Sequence, residues 1–278
     1  MGARRGNVGA QVLANPEASL LSNPPPTNER PLGVVCAMPE EVEHLAVVLV
    51  DDRSSECGGF RFRAGLLDGR AVVLAEGGIG KVAGALVTAL LLERYGCRAL
   101  VLSGVAGGLD PALGIGDVVV AERLIQHDYG AVTRGRIKNF RPGVAPLGEA
   151  REIVDYRLGE ALRGALGEAL SGYVLPALPA GVAGGRQPSL GFGTVLTGDQ
   201  FVNCEDTRGD LFDRFSAQAV DMESAALAQV AERYGAPWIV VRALSDLAGS
   251  ESHLDFPAFV SATAETAAGV VRRVLPVL

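Results

Sequence analysis

At 278 residues and 48% hydrophobic composition, the chain can bury a sizeable core, as one large α/β domain or two small ones. Aromatics contribute only 5%, so that core is built from Ala, Val and Leu. A net charge of −7 excludes the basic face that nucleic-acid binding needs and fits a protein that handles a small molecule. Cys36, Cys57, Cys97 and Cys204 are scattered with no CxxC pair, which predicts reduced thiols rather than disulfides or zinc. His44 and His253 lack ligand spacing, so no metal and no other cofactor is expected. No apolar run approaches the ~20 residues of a membrane span. Arg4 and Arg5 are followed by no continuous apolar stretch, so no signal peptide is read, and the expected location is the cytoplasm.

In chain order, residues 1–30 are rich in Asn, Pro, Gly and Ser, end in NPPPTNER, and read as a disordered leader. A single domain is expected over 31–278. Strands are predicted at LGVVCA (32–37), AVVLA (71–75), ALVLS (99–103), GDVVVA (116–121), FGTVLT (192–197) and WIVVRAL (238–244). Helices are predicted over roughly 39–49, 81–96, 149–170, 221–235 and 256–274, with loops at about 130–147 and 174–190. Apolar strands alternating with helices imply a mostly parallel sheet covered on both faces. The polar and glycine-rich clusters all fall at strand ends: PEE (39–41), EGGIGK (76–81), SGVAGG (103–108), TGDQFVN (197–203) and RALSD (242–246). In an open α/β sheet that edge binds ligands.

GGIGKV is not a phosphate loop, because Ala75 and Val82 stand where that pattern needs glycine and a hydroxyl residue. Its glycines are explained by a tight turn. Glycines in SGVAGG, among them Gly107, let backbone approach a ligand or merely let a helix pack. The carboxylates say more. Glu40 and Glu41 open a helix, where acids also serve the helix dipole, and Asp221 and Glu223 repeat that pattern. Asp246 closes a strand and has no such explanation. Acids from distant segments converging on one cleft suggest acid–base work on a sugar-like substrate. His127 and Asp128 are an alternative pair, with a structural histidine at least as good an account.

Taken together, GVVCAMPEEVEHL, GGIGKVAGALVTALLLERYG, SGVAGGLDPALGIGDVVVAE, LTGDQFVN and DMESAALAQVAERYGAPWIVVRALSDLAGSESHLDF resemble the 5'-methylthioadenosine/S-adenosylhomocysteine nucleosidase family of the purine nucleoside phosphorylase superfamily. The resemblance runs from about Gly33 to Leu275 and is weakest across 128–190. It implies an α/β fold with a mixed, partly closed central sheet surrounded by helices. It implies hydrolysis of the N-glycosidic bond of adenine thioribosides, with Glu41 activating water and Asp246 protonating N7 of the leaving adenine, supported by Ser245. Met222 would pack on the sugar and Glu223 accept from its 2' and 3' hydroxyls. Phe201 would stack on adenine, Val202 read the base edge, and Ile79 and Phe256 line the 5'-alkylthio pocket. Arg242 would hold Glu41 and the water. A two-fold homodimer is implied.

The sequence departs from the family at Val105, where a hydroxyl residue is frequent, at Pro39, at Asp221, where Glu is usual, and across 129–147, the region of the family's aromatic flap. A phosphorylase of the same superfamily is disfavoured because PEE and SGVAGG make a poor phosphate cradle. A hydrolase for another adenosine-like nucleoside, such as futalosine, is a closer rival. A nucleoside-sensing protein without catalysis is disfavoured by Glu41, Glu223 and Asp246 all being present.

Overall fold

The computed structural model describes residues 30–147, 155–179, 182 and 186–278; the predicted leader, apart from Arg30, lies outside the described residues. Arg30 itself is tied to the domain, donating from Nε to the carbonyl of Gly96 at 2.7 Å. The first half begins with β1 (Leu32–Cys36), α1 (Pro39–Ala46) and a meander of β2 (Val50–Cys57), β3 (Phe60–Leu67) and β4 (Arg70–Glu76). It continues through α2 (Lys81–Glu93), β5 (Ala99–Gly108), β6 (Val118–Gln126) and a hairpin of β7 (Gly130–Thr133) and β8 (Arg136–Asn139). The second half contains β9 (Asp155–Arg157), α3 (Glu160–Leu170), β10 (Leu190–Thr197), α4 (Glu205–Phe215) and β11 (Ala219–Asp221). It ends with α5 (Ser224–Arg233), β12 (Trp238–Asp246) and α6 (Ser252–Val274).

A 10-stranded sheet forms the centre, in the order β11-β10-β6-β12-β5-β1-β4-β3-β2, with β9 on β6. It is mixed: β4, β1, β5 and β12 run parallel to one another, whereas β6 is antiparallel to β12 and β3 to β4. The strands β1, β5 and β12 are buried along their whole length or nearly so, which is why they read as unbroken apolar runs rather than alternating ones. The sheet closes because β11 pairs both with β10 and, antiparallel, with the far end of β5. That closure uses Gly107 and Gly108, opposite Val220 and Ala219, where the missing side chains leave room for the returning strand. Helix α6 lies against β12 and β5, and α2 packs on α5.

Several expectations need correction. SGVAGG does not follow its strand but forms the last residues of β5, paired with RALSD, which ends β12 as expected, out to Gly107 and Asp246. Asp221 is not in a helical first turn; it ends β11, and α5 starts only at Ser224. The helix expected over 149–170 begins at Glu160, and Asp155–Arg157 is a strand on β6. The loop expected over 130–147 contains the β7–β8 hairpin, turned by Arg134 and Gly135, both at positive φ. β2 and β3, which make a meander with the expected strand β4, were not anticipated. The turns of the meander are Gly58-Gly59 and Asp68-Gly69, all four residues at positive φ.

Candidate active site

A cleft opens where β1, β4, β5, β10, β11 and β12 end. Glu41, Ile79, Gly107, Phe201, Val202, Met222, Glu223, Ser245, Asp246 and Phe256 all line it. Arg242 lies beneath this lining, fully buried. Every residue predicted for the site is therefore in or directly under one cavity. His127 and Asp128 are not in its lining.

Glu41 sits in the first turn of α1, after Pro39 has set the helical φ at N1. Its carboxylate caps that helix and also faces the cleft. Oε2 accepts from the amides of Ala37 (2.6 Å) and Met38 (3.0 Å), and Oε1 from the amide of Val105 (2.9 Å). Here position 105 contributes backbone, not side chain. Burial pushes the Glu41 carboxyl up, against the opposing pull of Arg242 and of these three amides. Gly104 is the reason the carboxylate fits: a Cβ there would stand 2.3 Å from Glu41 Oε1 and 2.5 Å from Arg242 Nη1.

Glu223 precedes α5. Oε1 accepts from the amide of Gly80 (2.9 Å) and Oε2 from Arg242 Nη2 (2.8 Å). Burial first, and then repulsion from Asp221 and Glu41, raise its carboxyl to about 7 despite Arg242 and the Gly80 amide. Arg242 is held mainly by Asp221, whose Oδ2 accepts from Nε at 2.8 Å. Thr197 donates to Asp221 Oδ1 at 2.6 Å, and the Ser224 hydroxyl donates to Oδ2. Arg242 Nη1 is 3.9 Å from Glu41 Oε1 and has no hydrogen-bond partner among the described residues. The expected hold of Arg242 on Glu41 is thus a longer-range ion pair, and its short contacts go to Asp221 and Glu223. One guanidinium stands among three buried carboxylates.

Asp246 ends β12, beside Gly107 of β5, and lines the same cleft. Oδ1 caps the amide of Ala248 (2.9 Å), and Oδ2 is 3.1 Å from the Ser245 hydroxyl. Ala248 itself takes a left-handed φ of 51° to make this turn. Gly107 gives the carboxylate room, since a Cβ there would come within 3.1 Å of Oδ1. At the mouth, Phe201 and Phe256 meet edge to face with centroids 5.9 Å apart, and Phe201 is 51% exposed.

The match to known proteins covers the same ground. The family model described as the phosphorylase superfamily matches residues 31–276. A 5'-methylthioadenosine/S-adenosylhomocysteine nucleosidase of Mycobacterium tuberculosis is 45% identical over 248 residues, 89% of this chain and 97% of that relative. The chain belongs to this superfamily and, within it, to the methylthioadenosine/S-adenosylhomocysteine nucleosidases. Among solved structures, the nucleosidase of Colwellia psychrerythraea in complex with adenine is 31% identical at a TM-score of 0.75, covering 90% of this chain and 96% of that one. The futalosine hydrolase of Helicobacter pylori is 29% identical at 0.74, covering 90% and 99%.

Sequence reasoning missed two residues that shape the site. Asp221 was read as part of a helix start, although the apolar AQAV before it is the signal of a short strand that would end on it. Gly104 was grouped with its neighbours as a backbone device, and only its distance to Glu41 singles it out.

Proposed function

We propose that the protein hydrolyses the N-glycosidic bond of 5'-methylthioadenosine, S-adenosylhomocysteine and related 5'-substituted adenosines, releasing adenine. The observation that carries this is the placement of Glu41, Glu223 and Asp246, from three separate segments, around one cleft. Glu41 takes a proton from water as its oxygen bonds to the anomeric carbon. The bond from that carbon to N9 breaks, its electron pair passes into the purine, and Asp246 delivers a proton to N7. Ser245 supports Asp246. As the ribosyl ring becomes cation-like, the carboxylates of Glu41, Glu223 and Asp221 favour it. Glu223 accepts from the 2' and 3' hydroxyls, Met222 packs on the sugar, Phe201 stacks on adenine and Val202 reads its edge. Gly107 lets the base lie against the backbone of β5, and Ile79 and Phe256 line the 5' pocket. Arg242 holds Glu223 and, through its Nη1, the region of the attacking water.

No helix among the described residues is long and apolar enough to cross a membrane. We place the protein in the cytoplasm, in keeping with four free cysteines. It works as a homodimer: Ile79, Val82 and Leu86, at and just after the turn that enters α2, are 58%, 80% and 45% exposed in the single chain.

Incubation with methylthioadenosine in phosphate-free buffer tests the reaction. Adenine and free methylthioribose should form at a rate that added phosphate does not change; ribose 1-phosphate product would make the protein a phosphorylase. A second reading, hydrolysis of futalosine, is favoured by the match to the Helicobacter pylori hydrolase. Futalosine belongs in the same assay and should be cleaved less efficiently than methylthioadenosine.

A further inference from the structure

Two consecutive amides at the start of α2 point at two different carboxylates. Gly80, at φ 100°, donates to Glu223 Oε1 at 2.9 Å, on the side of the cleft assigned to ribose. Lys81 donates its backbone N–H to Asp199 Oδ1 at 2.8 Å, in the segment that leads to Phe201. The Lys81 side chain then turns to Asp128, with Nζ 2.6 Å from Oδ1, and stands 3.7 Å from Asp199 Oδ2. Asp128 closes the circuit by accepting the Asp199 amide on Oδ2 at 2.9 Å. The three residues form a ring of hydrogen bonds joining the α2 turn, the end of β6 and the segment after β10. Lys81 and Asp128 are largely sheltered, with side chains 19% and 15% exposed. Burial works to raise the Asp128 carboxyl, but the bonds from Lys81 and the Asp199 amide outweigh it and hold it below the usual carboxylate range. Gly198 fixes the same segment from below: a Cβ there would stand 2.2 Å from His127 Nε2, so only glycine lets the chain lie on that buried ring.

The ring of Lys81, Asp128 and Asp199 touches neither Glu41 nor Asp246, and it fastens Asp199, two residues before Phe201. Phe201 is half exposed and its ring meets that of Phe256 edge to face. Without a tether, the stretch would have to be ordered by the ligand at each binding event, a cost that appears as lost affinity. We propose that Lys81, through Asp128 and Asp199, is a positioning residue that pre-orders the base-binding segment 198–203 and ties it to the turn holding Glu223. The proposal rests on the reading that Phe201 and Val202 hold the purine.

The test is calorimetric titration with adenine of the wild-type protein, Lys81→Met, Asp128→Ala and the double variant, with kcat and KM for methylthioadenosine measured alongside. Each single variant should bind adenine about tenfold more weakly and raise KM by the same factor, the ordering cost of a few side chains. The value of kcat should stay within about twofold, because the acids keep their own supports. The double variant should be no worse than either single one, since both break the same ring. Melting temperature and sedimentation are recorded for each. Unchanged adenine affinity with a lowered melting temperature would make the ring merely structural and overturn the proposal. Additive losses, or a change of oligomeric state that tracks the loss, would overturn it too. A wild-type protein that neither binds adenine nor cleaves methylthioadenosine would instead remove the functional reading, and the proposal with it.

Discussion

The floor and the rim of the cleft are built in opposite ways. On the floor, Glu41, Asp221, Glu223 and Arg242 are all buried, and each carboxylate accepts at least two hydrogen bonds from protein groups. At the rim, Ile79 is 58% exposed and Phe201 51%. Floor geometry is over-determined before any substrate arrives; rim side chains acquire most of their partners from the ligand. Groups that do chemistry must stand in place to within a fraction of an ångström, whereas groups that recognise a flat base need only be near. A floor residue should therefore act on kcat and a rim residue on KM.

The largest break in that contrast comes from Gly104→Ala. The new methyl would collide with Glu41 Oε1 and Arg242 Nη1, so carboxylate or strand must move. Displacements of that size cost on the order of 10²-fold in kcat, and steady-state kinetics should show the loss in a protein that still folds. Glu41→Gln, which keeps shape but cannot take a proton from water, should lose about 10²-fold in kcat at nearly constant KM. A drop confined to KM in either variant would erase the distinction between floor and rim.

Next in size is a pH effect. The folded-state carboxyl of Glu223 is raised from 4.5 to about 7, so the folded protein holds a proton there that the unfolded chain releases. Stability should therefore be highest below pH 4.5 with respect to this group, fall as pH rises from 4.5 to about 7, and stay level above. Glu41, raised by burial, adds in the same direction. Activity should run the other way, with kcat/KM declining as pH drops through about 7 and Glu223 loses its charge. Thermal melts across this range should show a shallower slope for Glu223→Gln; an unchanged slope would mean that Glu223 is not the proton holder. The smallest effect belongs to the rim. Phe201→Ala removes a stacking surface that is half solvated, and KM should rise about tenfold with kcat nearly constant.

The same contrast explains what could be read from the sequence. The floor strands were legible because β1, β5 and β12 are wrapped on both faces and so appear as apolar runs interrupted by few polar residues. Arg242, Ser245 and Asp246 stood out against that background, as did Glu41 beside Pro39. What was illegible depends on distant pairing. β11 has three residues, too few for a periodic signal, and exists because β5 is long enough to reach it. With it went the place of Asp221. α4 was missed because only Leu211 of EDTRGDLFDRF is buried, leaving no apolar stripe. β2 and β3 could have been found: Gly58-Gly59 and Asp68-Gly69 are strong hairpin turns on either side of β3, but β2, before the first of them, is exposed and charged and gave no strand pattern. The β7–β8 turn, Arg134-Gly135, lacks the asparagine or aspartate that usually marks such a hairpin.

The central claim is that Asp246, at the end of β12, delivers the proton that lets adenine leave. Single-turnover cleavage of methylthioadenosine by Asp246→Asn tests it most directly, since asparagine keeps the size of the side chain and its oxygen can still accept from the Ala248 amide. The account predicts a rate at least about 10²-fold below wild type, with adenine affinity and melting temperature nearly unchanged. A rate close to wild type would contradict it and move proton delivery to another group.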